Sequence, residues 1–106
     1  MLPTTTHQQN AVLSALCDGA EHWGRDVRAA IKKDGYKSTN ASFYELMDRM
    51  EAAGLIEGKY AERDVLGQMF RERCYRITGA GVTAWEVAVN YYLSKAGQKR
   101  GSLGVI

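Results

Sequence analysis

Apolar residues recur through the first half of the chain at three- and four-residue intervals, the spacing of helices that each bury one face. Val12, Leu13 and Leu16 form the first group; Thr6-x-x-Gln9 precedes it with capping-box spacing and Asp18-Gly19 closes it, which predicts a helix over about 7–17. Trp23, Val27, Ala30 and Ile31 form the second, with Arg25, Arg28, Lys32 and Lys33 on the remaining faces and Gly35 as a stop. The third is Phe43, Leu46, Met47 and Met50, which follows the N-cap candidates Ser38, Thr39 and Asn40 and ends at Gly54. The pattern then changes: 55–60 and 73–77 are rich in residues that suit a pleated surface and predict two short strands joined by a long loop containing Gly67. Thr78 caps a last helix over about 79–95, and 97–106 reads as a flexible tail, leaving 1–96 as the folded domain.

Three short helices, a hairpin and a longer helix make a mostly α fold with a small β-hairpin. Two helices joined by a few residues, the second polar on its outer side, follow the helix-turn-helix plan, and a hairpin behind them is a two-stranded wing. A helix about 10–12 Å across fits the major groove of B-DNA.

At 106 residues there is room for one core, and 45% hydrophobic with 25% charged residues excludes a disordered chain. No apolar run approaches the ~18 residues of a membrane span, and Met1-Leu2-Pro3-Thr4-Thr5-Thr6 lacks the features of a signal peptide. These features predict a cytoplasmic protein, not associated with a membrane, in which Cys17 and Cys74 stay reduced. The net charge is only +2; 36–76 carries seven basic and seven acidic side chains, and the surplus lies beyond residue 77, so totals alone show no basic face.

The segment Ser42-Phe43-Tyr44-Glu45-Leu46-Met47-Asp48-Arg49-Met50-Glu51-Ala52-Ala53-Gly54-Leu55-Ile56 resembles the signature helix and first wing strand of the PadR-like winged-helix transcriptional regulators. Trp23-Gly24-Arg25-Asp26-Val27 is similar to that family's start of helix two, and Tyr75-Arg76-Ile77-Thr78-Gly79-Ala80-Gly81 to its close of the wing. The matches run in order over about 8–93. The chain departs from the pattern at Glu45, where the family often has Pro, at Arg25 in place of an aromatic residue, and at Met47 and Met50 in place of leucines. The expected function is that of a sequence-specific DNA-binding transcriptional regulator of double-stranded DNA, a repressor without cofactor; the homodimer that the resemblance implies would place two recognition helices on a palindromic operator.

The outward positions of helix three are Asn40, Ser42, Tyr44, Glu45 and Arg49. The resemblance implies phosphate contacts from Ser42 and Tyr44, with Asn40, Glu45 and Arg49 near base edges or backbone. Thr39 belongs to the same candidate DNA-binding set. Glu45 repels phosphate unless it accepts from a cytosine amino group. Lys37, Lys59, Arg63, Arg71 and Arg73 are candidates for wing and flank contacts; the alternative for all these residues is an ordinary solvated surface. Val65, Leu66, Met69 and Phe70 crowd the wing with apolar side chains, which either pack back on the body or touch a partner. That feature, Glu45 and the neutral sum motivate a second reading, a winged-helix protein-interaction module without significant DNA affinity.

The last helix is apolar nearly all round. Val82, Trp85, Val89 and Tyr92 make one stripe, which with Leu93 is the candidate dimerisation surface, and Ala84, Val87, Ala88 and Tyr91 another; one stripe packs on helix one, and a second copy of the chain covers the other unless both pack within one monomer. Trp23 and Trp85 are candidates to line a site for a small hydrophobic effector at that seam, although isolated aromatics more often belong to a core. Gly79-Ala80-Gly81-Val82-Thr83-Ala84 matches a dinucleotide fingerprint in form only, since no parallel strand follows. His7, Cys17, His22 and Cys74 lack zinc-site spacing, and no nucleophile with base and orienting acid is identifiable, so neither a metal site nor an enzyme is expected.

Overall fold

The computed structural model describes the backbone of residues 5–104 and the side chains of 5–97. Helix α1 (His7–Leu16) opens as its spacing predicts: Thr6 Oγ1 accepts from the Gln9 N–H at 3.1 Å, and Gln9 Oε1 accepts from the Thr6 N–H at 3.0 Å. Helix α2 (Gly24–Lys33) and helix α3 (Asn40–Ala52) close in the same manner. The N–H of Tyr36 reaches back to the Ile31 carbonyl and that of Leu55 to the Met50 carbonyl, each past a glycine, Gly35 or Gly54, in the left-handed region.

The wing differs from its expected form. Strands β2 (Ile56–Val65) and β3 (Gln68–Ile77) are ten residues each, paired antiparallel from Ile56↔Ile77 to Val65↔Gln68. Only Leu66 and Gly67 join them, at φ 52° and 84°. Two positive φ values suit the two-residue turn whose twist matches that of its strands, and Asp64 Oδ1 steadies it by accepting from the Gly67 N–H at 2.9 Å. The long loop is therefore a tight turn, hidden because leucine stands where Asn, Asp or Gly normally signals it. The wing is also not two-stranded at its base. A short strand β1 (His22–Trp23) pairs with β3 to give the order β1-β3-β2.

The core collects the predicted stripes: Val12, Leu13 and Leu16 of α1, Val27 and Ile31 of α2, and Phe43, Leu46, Met47 and Met50 of α3, closed by Ile56, Tyr75 and Ile77 of the sheet. Each such side chain contributes roughly 1.5–3 kcal/mol on burial. Helix α4 (Gly79–Gly104) passes its expected end at 95 and takes in backbone expected as tail; residues 105 and 106 lie outside the described part. No proline interrupts the stretch, so the helical backbone continues in spite of Gly97 and Gly101.

Only the inner side of α4 is used by the body. Gly81, Ala84 and Ala88 are buried, Trp85 packs against the core, and the Tyr92 hydroxyl meets His7 and accepts from Asn10 Nδ2 at 3.0 Å. The expected dimerisation stripe is thus not one face: Trp85 and Tyr92 turn toward α1 and the core, while Val82, Tyr91 and Leu93 stand exposed and Val89 is half-buried.

One joint fixes α3, the wing and α4 together. Thr78 Oγ1 donates to the Gly54 carbonyl at 2.6 Å and accepts from the Gly81 N–H at 3.0 Å, while the Thr78 N–H bonds the Leu55 carbonyl at 3.1 Å. The helix start at 79–84 is therefore a capped turn after an antiparallel strand, which excludes the nucleotide-binding crossover.

A Cβ on Gly81 would lie 2.1 Å from the Leu55 carbonyl oxygen, whereas one on Gly79 meets open space. Gly81→Ala is expected to cost about 1–3 kcal/mol in urea unfolding, with Gly79→Ala close to neutral as its control. Burial pushes the Tyr75 phenol up to about 12 from its ordinary 10. The fold prefers the neutral phenol, so this contribution is intact below pH 10 and is lost as pH rises through 12. Denaturant titrations across that window are expected to show stability falling with pH, and a flatter decline in Tyr75→Phe.

Candidate nucleic-acid interface

Arg25, Arg28 and Lys32 fall on one stripe of α2 because their spacing is three and four residues. That stripe faces the wing across an open cleft of about 1070 Å³. Helix α3 contributes Asn40, Tyr44, Asp48 and Glu51 to the lining, and the hairpin contributes Tyr60, Arg71, Glu72 and Arg73. Lys37, Ser38 and Tyr36 line the end between α2 and α3.

Six cationic side chains therefore meet three carboxylates in the cleft. Two carboxylates are already committed: Glu51 Oε1 lies 2.5 Å from Arg73 Nη2, and Glu72 Oε1 lies 3.6 Å from Arg25 Nη2. Arg28 bonds only uncharged groups, donating to the Ser38 carbonyl at 2.6 Å and to Asn40 Oδ1 at 3.3 Å, so its charge is held in place without being cancelled. With Lys32, Lys37 and Arg71 it leaves four cations against Asp48. The neutral sum of the sequence is thus unevenly spread.

The Glu51–Arg73 pair crosses from α3 to β3 over Gly58 of β2. A Cβ there would lie 1.7 Å from Glu51 Oε1 and 2.8 Å from the Tyr75 ring, so no larger residue leaves the pair in position. Burial opposes the Arg73 charge, but the Tyr75 hydroxyl and Glu51 hold its pKa above the usual guanidinium value. Tyr60 lies between Arg71 and Arg73, with the two guanidinium carbons 4.8 and 4.9 Å from its ring centre. Such contacts are worth roughly 0.5–1 kcal/mol at exposed sites and fix the direction of Arg71.

The candidate residues divide by position. Lys37, Asn40, Tyr44, Arg71 and Arg73 line the cleft. Tyr44, expected to point outward, is half-buried beside Gly24, whose missing Cβ would sit 2.8 Å from the tyrosine hydroxyl. Thr39 serves α3 as its N-cap, accepting from the Ser42 N–H at 3.1 Å. Ser42, Glu45 and Arg49 are exposed on α3 outside the cleft.

Lys59 and Arg63 alternate with Tyr60 along β2 and so emerge on the opposite side of the sheet. Lys59 pairs with Glu21 at 3.0 Å, which raises the lysine pKa and lowers that of the carboxyl. Arg63 lies over the Trp23 ring and 3.5 Å from Glu72. The sequence reading overlooked Arg25, Arg28, Lys32, Tyr36 and Tyr60 as site residues; the stripe on α2 was visible as a period, but its facing element was not.

Neither Trp23 nor Trp85 lines the cleft. Among the described residues no group of three or more His, Cys, Asp or Glu could hold a metal ion, and no helix is long and apolar enough to cross a membrane. Cys74 is buried and donates to Glu21 Oε2 at 3.4 Å; burial and that carboxylate push its thiol pKa up, away from a reactive thiolate.

No family model matches the chain, and no curated protein matches it. Solved structures do. A PadR family transcription regulator from Clostridium difficile R20291 aligns with a TM-score of 0.71 at 17% identity, over 95% of this chain and 100% of that one. A transcriptional regulator from Clostridium thermocellum aligns with a TM-score of 0.65 at 21% identity, over 89% of this chain and 88% of that one. Bacillus subtilis PadR in complex with operator DNA aligns with a TM-score of 0.62 at 17% identity, over 76% of this chain and 46% of that one. What these likenesses establish is the architecture: the chain has the winged-helix fold found in PadR-family transcription regulators.

Proposed function

We propose that the protein is a DNA-binding transcriptional regulator that acts as a homodimer, with α3 entering the major groove and the β2–β3 wing on the adjacent backbone. The observation that carries this reading is the cation excess between α2, α3 and the wing, where four cations face one uncommitted carboxylate. Phosphates of a duplex laid against α3 would meet Arg28, Lys32, Lys37 and Arg71, and the counterions they release supply affinity that depends on salt. Support also comes from the fold shared with a regulator solved on its operator. The outer side of α4, where Leu93 is 64% exposed, provides the apolar surface for a second copy. A two-fold axis there presents two α3 helices to a palindrome whose half-sites lie about 34–36 Å apart. Occupying an operator that overlaps a promoter would make the protein a repressor.

A second reading is favoured by one feature. Leu66, fully exposed at 101%, projects from the wing tip with Met69 and Phe70, an apolar group suited to a protein partner. Salt separates the two readings. In fluorescence-anisotropy titrations on a duplex from the region upstream of the protein's own gene, affinity is expected to fall steeply with salt. Arg28→Ala and Lys32→Ala should each reduce the logarithmic slope by about one. Arg73→Ala combined with Glu51→Ala should leave that slope unchanged, because the two charges cancel one another, and lower stability instead. A slope near zero for the unaltered protein favours the protein-interaction module. Sedimentation is expected to give a dimer that Leu93→Asp or Val89→Asp converts to monomer; a monomeric unaltered protein would overturn the two-fold arrangement.

A further inference from the structure

Helix α3 uses its faces for three purposes. Phe43, Leu46, Met47 and Met50 enter the core, and Asn40, Tyr44, Asp48 and Glu51 turn toward the cleft. The remaining face carries Ala41, Ser42, Glu45, Arg49 and Ala52, all exposed. Two small alanines flank the charged pair, so little side-chain bulk keeps a partner surface from the helix. Glu45 precedes Arg49 by four residues, the order that favours an ion pair along a helix. Yet among the described residues neither side chain takes part in any ion pair or hydrogen bond. An acceptor and a forked donor therefore stand free on the outermost face of the helix.

We propose that Glu45 and Arg49 are the base-reading pair of α3, Glu45 accepting from a cytosine N4 amino group and Arg49 donating to guanine O6 and N7. The proposal rests on the DNA-binding reading and adds the chemistry of the site that is read. A carboxylate facing a duplex is repelled by phosphate and is tolerated in the major groove only where a base offers a donor. Cytosine N4 and adenine N6 are the available donors; the adenine amino group adjoins the N7 lone pair, which repels a carboxylate, and the cytosine one does not. Guanine presents two acceptors that match the guanidinium fork. Four residues of helix rise by about 6 Å, close to two base steps of about 3.4 Å. The half-site then holds a cytosine and a guanine within about two steps of one another.

The experiment selects bound duplexes from a pool with a randomised centre at low salt, using the full chain and its Glu45→Ala, Glu45→Gln and Arg49→Ala variants, each checked for folding by circular dichroism. The unaltered protein is expected to enrich a site with a fixed cytosine. Glu45→Ala loses that preference and binds the enriched site on the order of tenfold more weakly. Glu45→Gln moves the preference toward adenine, whose N6 and N7 match a side-chain amide, and Arg49→Ala relaxes a guanine within two positions. A cytosine preference that persists in both Glu45 variants overturns the proposal, as does a Glu45→Ala protein that binds every duplex more tightly with its preference unchanged, since Glu45 would then be only a repulsive charge. Failure of the unaltered protein to retain any duplex has a different meaning: it overturns the DNA-binding reading, and the base-reading pair with it.

Discussion

Everything the cleft can do depends on the angle between α3 and the hairpin, and that angle is held where Glu51 meets Arg73 above Gly58. An ion pair on an open surface contributes little, because water and salt screen it. This one is largely shielded, bonded to the Tyr75 hydroxyl on one side and stacked on Tyr60 on the other. Removing either partner leaves a partly buried charge without its counter-charge, which costs more than the pair contributes. The sheet and the helix that frame the cleft are therefore tied together by this pair, and Arg71 emerges from β3 on the same side as Arg73, against Tyr60.

Placement explains how a chain of net charge +2 can hold a cationic cleft: six cations line it against three carboxylates, while Glu45, Glu57, Glu62 and Asp64 lie outside it. Acidic residues are as numerous as basic ones through the α3 and wing region, but Glu51 and Glu72 are spent on Arg73 and Arg25, Glu21 on Lys59, and Glu57 on Arg76. Cancellation happens locally. The cations that remain on the cleft are those bonded to neutral groups or to none, and their field is what a phosphate chain would encounter.

Much of the fold was legible because it rests on local physics. Thr6 and Gln9 cap α1 through groups three residues apart, and the stripes of α1 and α3, with Val27 and Ile31 of α2, enter the core at the positions their period predicts, whereas Trp23 precedes α2 in β1 and Ala30 is half-buried. The wing was harder. Glu62, Arg63 and Asp64 mask the alternation of β2, Leu66 occupies a turn position that most residues avoid, and two residues of β1 are too few to show any period. Within the candidate site, Asn40, Arg71 and Lys37 were readable from type and place, whereas Arg28 and Lys32 needed the wing opposite them to acquire meaning. Glu51 and Arg73 are 22 residues apart, and nothing in their separation announces that they meet. The stripes of α4 were misjudged for a related reason: both are apolar, and only the position of α1 decides that Ala84, Ala88 and Trp85 turn inward.

Thr78 has a mechanical consequence. Its hydroxyl and N–H tie the end of α3, the close of the wing and the first turn of α4 within a single residue, and Gly81 lies directly on the Leu55 carbonyl beside it. Helix α4 consequently has no independent pivot: tilting it shifts the root of the hairpin and the last turn before Gly54 by the same motion. Were two copies joined through α4 as proposed, the separation of their two α3 helices and the inclination of the joining helices would be a single coordinate.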